Sequence, residues 1–244
     1  MENKKIAAIM LIIAITLSAL GLAYAHWSDT ATIHGNIQMG TLTLAFVTTE
    51  APSATEYYFD PVSKMWKTGE KDGKDVGSCS AEYEDPITDI HTGKPGYKLL
   101  NITINNAYPQ YAVHTTFRAH NIGTVPLCIY GVSLVGEKKT STGTHVRNLI
   151  LDWWVNTTSG HIEGEIYEDW DSSGTVTPGD ILVMNFEIVD TLFPLQIEPC
   201  HDEKMEIDID FKQEAEQCHA YTLIFQLWAV QWNKISEITY PTKP

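Results

Sequence analysis

Met205-Glu206-Ile207-Asp208-Ile209-Asp210-Phe211-Lys212 decides the fold. Met205, Ile207, Ile209 and Phe211 alternate with Glu206, Asp208, Asp210 and Lys212, giving one dry face and one charged face. A period of two is the signature of a half-buried strand, whereas a helix would wind these side chains around its axis. The same reading extends outward. Leu42, Leu44 and Phe46 alternate with Thr41, Thr43 and Ala45. Val113, Thr115, Phe117 and Ala119 alternate with His114, Thr116, Arg118 and His120. Further strands are expected at Leu99–Ile104, Leu127–Val135, Leu149–Val155, Ile162–Tyr167, Ile181–Ile188 and Tyr221–Gln231, and only Lys212–Gln217 reads as a helical turn. Many short strands with polar connectors predict an all-β chain, a β-sandwich over 47–244. Residues 51–96 break the pattern with Pro52, Pro61, Pro86, Pro95 and several glycines, and read as a long loop insertion carrying Cys79.

The chain has 244 residues, 43% hydrophobic and 19% charged, which excludes a disordered tail or a coiled coil. Asp and Glu number 31 against 16 Lys and Arg, a formal charge of −15. Such a surface repels phosphate, so nucleic acid and anionic lipid are poor partners and cations, calcium above all, are the natural counter-charge.

Residues 1–25 read as a secretory signal peptide. Lys4 and Lys5 precede the apolar run Ile6–Leu22, and Ala23-Tyr24-Ala25 is a small-x-small cleavage box. The run approaches the length that spans a bilayer, so an uncleaved segment would be the chain's one membrane contact. Export to the medium or cell surface makes disulfides from Cys79, Cys128, Cys200 and Cys218 an expectation. Four cysteines allow three pairings. The local option is Cys200 with Cys218, which leaves Cys79 with Cys128. Export also makes Asn101-Ile102-Thr103 and Asn156-Thr157-Thr158 glycan acceptor triplets.

Behind the cleavage box stand His26-Trp27-Ser28-Asp29-Thr30-Ala31-Thr32 and Gly35-Asn36-Ile37-Gln38-Met39-Gly40-Thr41-Leu42-Thr43-Leu44. Later come Asn121-Ile122-Gly123-Thr124-Val125-Pro126 and a closing strand, Tyr221–Trp228, followed by Gln231-Trp232-Asn233. In this order the motifs resemble the TasA/camelysin family of secreted biofilm fibre proteins, with its archaeal bundling-pilus and thread relatives. The resemblance implies a jelly-roll subunit that polymerises head to tail with copies of itself by donor-strand exchange. Residues 26–46 would hold the donor or first strand, with Trp27, Ile33, Ile37 and Met39 as plugs in a neighbour's groove. The plain alternative is that this segment is the first strand of its own sheet.

Asp169-Trp170-Asp171-Ser172-Ser173-Gly174-Thr175-Val176-Thr177-Pro178-Gly179-Asp180 fits a twelve-residue calcium loop. Asp169, Asp171 and Ser173 take positions 1, 3 and 5, Gly174 the sharp turn, Thr175 the carbonyl position and Asp180 position 12. Asp at position 12 resembles dockerin-type loops. Ser173 and Asp180 depart from the usual carboxylate and Glu, and the flanks read as strands.

No catalytic constellation stands out. There is no H-x-x-x-H, no G-x-S-x-G and no glycine-rich phosphate loop. Glu163 and Glu165 form an acid pair of the kind glycosidases use, which on an acidic chain reads as surface charge. Cleavage after Ala25 would leave His26 at the N-terminus, and with His114 or His120 it could form a copper brace resembling that of the lytic polysaccharide monooxygenases. A secreted monomeric adhesin or carbohydrate-binding module is the remaining class, with seven Trp residues to stack sugars. Trp153 and Trp154, as strand neighbours, would face opposite sides. The expectation carried forward is a non-enzymatic filament subunit.

Overall fold

The computed structural model describes residues 40–60, 62–69, 77–216 and 218–241. The signal segment 1–25, His26 and the donor residues Trp27, Ile33, Ile37 and Met39 lie outside the described residues.

In chain order the strands are β1 (Leu44–Phe46), β2 (Ser53–Asp60), β3 (Met65–Thr68), β4 (Ser78–Thr88), β5 (Pro95–Asn105), β6 (Tyr111–Asn121) and β7 (Leu127–Thr140). They continue with β8 (His145–Val155), β9 (Ile162–Glu168), β10 (Ile181–Val189), β11 (Leu195–Ile197), β12 (Asp202–Phe211) and β13 (His219–Gln231), and a short 3-10 helix, Trp232–Glu237, follows. The all-β expectation holds. Every pairing is antiparallel, and the order β1-β5-β13-β7-β8-β9-β10-β12-β6 closes on itself because β1 also pairs with β6. The result is a nine-strand barrel circuit. β2 and β3 extend from β6, β4 from β5, and β11 from β7.

The alternation read from the sequence is what fills the interior. Met205, Ile207, Ile209 and Phe211 of β12 face in, beside Val113 and Phe117 of β6 and Met184, Phe186 and Ile188 of β10. Glu206, Asp208 and Asp210 face out. Each of these apolar side chains contributes roughly 1.5–3 kcal/mol on burial.

The insertion is corrected. Residues 51–96 are not a loop: they carry β2, β3 and β4. β4 is an edge strand whose inner face, Cys79, Ala81 and Tyr83, is only partly buried against the core, while Ser78, Ser80 and Glu82 are exposed, so its dry face is short and weakly apolar in the sequence. Its free edge also tolerates Pro86, which has no N–H to give. Tyr83 holds β4 down by stacking between Phe46 and Tyr97, at 5.3 and 5.7 Å between ring centres.

β1 is only three residues long, yet the chain before it is firmly held. Ile122 N donates to Thr43 O at 3.0 Å, and Thr124 N donates to Thr41 O at 2.9 Å. Gly123 is needed here because a Cβ would stand 2.4 Å from Thr41 O. Asn121 braces the turn, donating to Val125 O and Ile197 O and accepting from Gly123 N. Buried Asp89 accepts the Thr43 hydroxyl at 2.6 Å, the main cause that holds its carboxyl far below the usual range.

Candidate metal centre

The twelve-residue loop is a hairpin connection. Ile181 pairs with Glu168, so β9 and β10 bring Asp169 and Asp180 to the two feet of one loop. The turn needs left-handed backbone at Ser172 (φ 57°) and Gly174 (φ 74°). Glycine is unstrained there; Ser172 is held by the bonds around it.

One carboxylate oxygen from each of Asp169, Asp171 and Asp180 lies within 4.8 Å of the others. Asp169 is buried, and its two oxygens accept from Ser173 N and Gly174 N, both at 3.1 Å. Asp171 accepts from Ser173 N at 2.9 Å and from the Thr177 hydroxyl at 3.1 Å. Asp180 accepts from Trp170 N, Thr177 N and the Thr177 hydroxyl at 2.8, 2.7 and 3.0 Å. Hydrogen bonds from Ser173 lower the Asp171 carboxyl, and those from Trp170 N and Thr177 N lower Asp180. Three converging carboxylates are a hard-oxygen donor set of the kind that suits calcium.

The other two expected ligands are placed differently. The Ser173 hydroxyl donates to Thr175 O at 2.8 Å, so these two groups face each other, each keeping an oxygen lone pair. Thr177, which bridges Asp171 and Asp180, went unread in the sequence. Its signal was available, since position 9 of such loops is a regular ligand position.

A second feature escaped the sequence. A cavity of about 570 Å³ opens on the outer face of β6, β12, β10 and β9, walled by Tyr57, Trp66 and Trp154. Its floor carries Glu163, Glu165, Glu187, Asp208 and Asp210. His114 bonds Asp208 and His161 bonds Glu187, each at 2.6 Å, so each imidazole is a carboxylate partner. Trp154 Nε1 donates to Glu163 at 3.3 Å and the Tyr167 hydroxyl to Glu165 at 2.6 Å. Burial, then the charge of Asp208, raises the Asp210 carboxyl. These residues come from seven strands, so no local window shows them together. Trp153 and Trp154 do face opposite sides: Trp153 lies against Gly131 and Trp228, and Trp154 lines the cleft.

The disulfide expectation is corrected: all four cysteines are free thiols. Cys79 pairs across to Ile104, Ile104 to Tyr221 and Tyr221 to Lys138, near the end of β7 where His219 meets Thr140 and Cys218 precedes it. Cys128 lies at the other end, opposite Val230, and Cys200 follows Ile197, which pairs with Leu127. Each expected pair is thus separated by about ten residues of strand, roughly 30 Å at 3.3 Å per residue, where a disulfide needs Cα atoms within about 7 Å. Cys200 and Cys218 are close in sequence, but β12 runs the length of the barrel between them. Burial pushes the Cys79 thiol up to about 11 and raises Cys128 as well. The glycan reading of Asn101 also fails on the folded chain. Asn101 is 8% exposed and its amide donates to Glu84 at 2.7 Å. Asn156 sits in a surface turn, where its side chain accepts from Thr158 N and Ser159 N and donates to Glu163.

No family model matches the chain, and no curated protein or solved structure matches it either.

Proposed function

We propose that the chain is a non-enzymatic structural subunit of an extracellular filament, exported by residues 1–25 and joined to its neighbour by a strand donated from 26–40. The observation that carries this reading is how the chain enters the fold. Thr41 and Thr43 are bonded to the Asn121–Pro126 turn and Thr43 to buried Asp89, so the barrel end where Gly40 emerges is a rigid base for an arm. The turn that grips it is one of the motifs through which the chain resembles the TasA/camelysin fibres. In this reading the antiparallel barrel is a jelly roll, and head-to-tail donation does not close, so it builds filaments rather than rings. The loop 169–180 holds calcium and stiffens one end of the β9–β10 hairpin. Electron microscopy of the secreted protein tests the reading: filaments are expected, and a variant lacking 26–40 should give monomers. Normal filaments from that variant would exclude the arm as the donor.

The outer cleft favours a second reading, glycan binding by a secreted adhesin. Trp66, Trp154 and Tyr57 supply stacking faces, and the carboxylates supply hydrogen-bond acceptors for sugar hydroxyls. Calorimetry with soluble polysaccharides, repeated on Trp66→Ala, tests it; no heat from either protein removes this reading.

A further inference from the structure

We infer that the gap between β7 and β8 is the slot that receives a strand from residues 33–39 of a second copy of this chain. The inference rests on the filament reading and adds to it the site of attachment.

The two strands are neighbours in the barrel, but they pair only where Gly136–Lys139 meet His145–Leu149. Both then run on. β7 stays paired with β13 down to Leu127, and β8 stays paired with β9 to Val155. Continued in register, Leu134 would meet Leu151 and Val132 would meet Trp153. Those pairings are absent among the described residues, and a cavity of about 310 Å³ lies there instead, lined by Val132, Leu134, Leu151, Trp153 and Trp228.

The main chain along the gap is oriented to receive a strand. Thr140 N bonds Thr144 O in the β7–β8 hairpin, so by alternation Leu134 and Val132 turn their main-chain groups toward the gap. Asn156 N bonds His161 O on the β9 side, so Val155, Trp153 and Leu151 turn theirs toward the gap. Val155 N is taken by Pro241 O at 3.1 Å, and β11 covers Leu127–Ile129. Between these stops and the Gly136–Leu149 pair remains a slot about five residues long, roughly 17 Å at 3.4 Å per residue. Leu134, Leu151 and Trp153 pack on the core yet stay half-exposed, as the floor of a slot lacking its strand would be.

The arm matches such a slot in pattern. Ile33, Ile37 and Met39 are odd-numbered, so in an extended strand they share one face with Gly35, while His34, Asn36 and Gln38 take the other; five of these seven residues fill the slot, and Trp27 and Asp29 lie beyond it. Residues 33–39 carry no carboxylate, which avoids repulsion from Asp169, which lines the cavity, and from Asp152 and Glu137 beside the slot. A second copy is the fitting source. The chain's own arm starts at Gly40, beside Val125, on the side that β11 and Pro241 already close.

The test uses the full secreted chain with a benzophenone amino acid in place of Ile33, expressed in normal and 15N-labelled forms, mixed, assembled, irradiated and mapped by mass spectrometry. Mixed-label cross-links to 131–135 or 149–153 are expected. Filaments whose cross-links fall elsewhere would overturn the slot and leave the filament reading standing. Same-label cross-links to the slot would mean that each chain fills its own gap, overturning donation there. Monomers without mixed-label products would overturn the filament reading and the slot together. As a second measurement, Leu151→Lys places a charge on the slot floor and should reduce sedimentable filament at least tenfold with circular dichroism unchanged. Undiminished filament from the folded variant would also overturn the slot.

Discussion

Replacing Lys138 by Met removes the cation from a buried charge cluster. The Lys138 side chain is 1% exposed, and its Nζ lies 2.8 Å from Glu168 Oε1 and 2.7 Å from Glu216 Oε2. Glu216 is 55% exposed and can turn to water, but Glu168 is 3% exposed and cannot. After the substitution its remaining charged neighbour is Arg147 Nε at 3.8 Å, beyond hydrogen-bond distance. Breaking one side of a buried pair costs about 3–5 kcal/mol, because the other charge stays desolvated. For a domain of this size that lowers Tm by roughly 6–20 °C. Urea unfolding followed by tryptophan fluorescence measures the loss directly. The double variant Lys138→Met with Glu168→Leu should recover most of it, since replacing both members by apolar groups is often neutral. A loss under about 1 kcal/mol in the single variant would refute the reasoning. So would a double variant no more stable than the single, because the penalty would then not come from the stranded carboxylate.

Three further outcomes are expected. Calcium should stabilise the chain through the loop 169–180 by about 2.7 kcal/mol at a hundredfold excess over Kd, read as a rise in melting temperature; Asp171→Ala should abolish the rise, and no response of the parent chain to calcium or chelator would reject the site. Asp210→Asn should stabilise the protein at neutral pH: its carboxyl is raised above its ordinary 3.8, so in the parent, stability rises as pH falls through the raised value toward 3.8. Asp171 and Asp180 act oppositely, contributing above 3.8 and losing that contribution as pH falls through their lowered values, and acid titrations of the single Asn variants separate the two effects. Gly123→Ala should cost about 1–3 kcal/mol, because its Cβ would meet the Thr41 carbonyl; faster hydrogen exchange at Ile122 and Thr124 would report the lost grip on β1.

Legibility in the sequence followed how local each feature is. The loop 169–180 lies in one window, so its three Asp were readable, while the bond that turns the Ser173 hydroxyl onto Thr175 O was not. β4 stayed hidden because its inner face is only Cys79, Ala81 and Tyr83, and Pro86 with the acidic residues around it looks like a loop. The cleft stayed hidden because Trp66, His114, Trp154 and Asp208 lie up to 142 positions apart along the chain and meet only across paired strands.

By itself the sequence determined that this is an all-β protein with an acidic exterior, since period-two alternation and charge are properties of neighbouring residues. It also determined which side chains face inward on β6 and β12, because each strand can bury only its dry face. Closure of the barrel through β1, the parting of β7 from β8 and the separation of the cysteines were decided by the tertiary structure alone. Those depend on which edges meet and in what register. Strand edges expose the same main-chain groups whatever the side chains, so their pairing is settled only when the whole sheet is assembled.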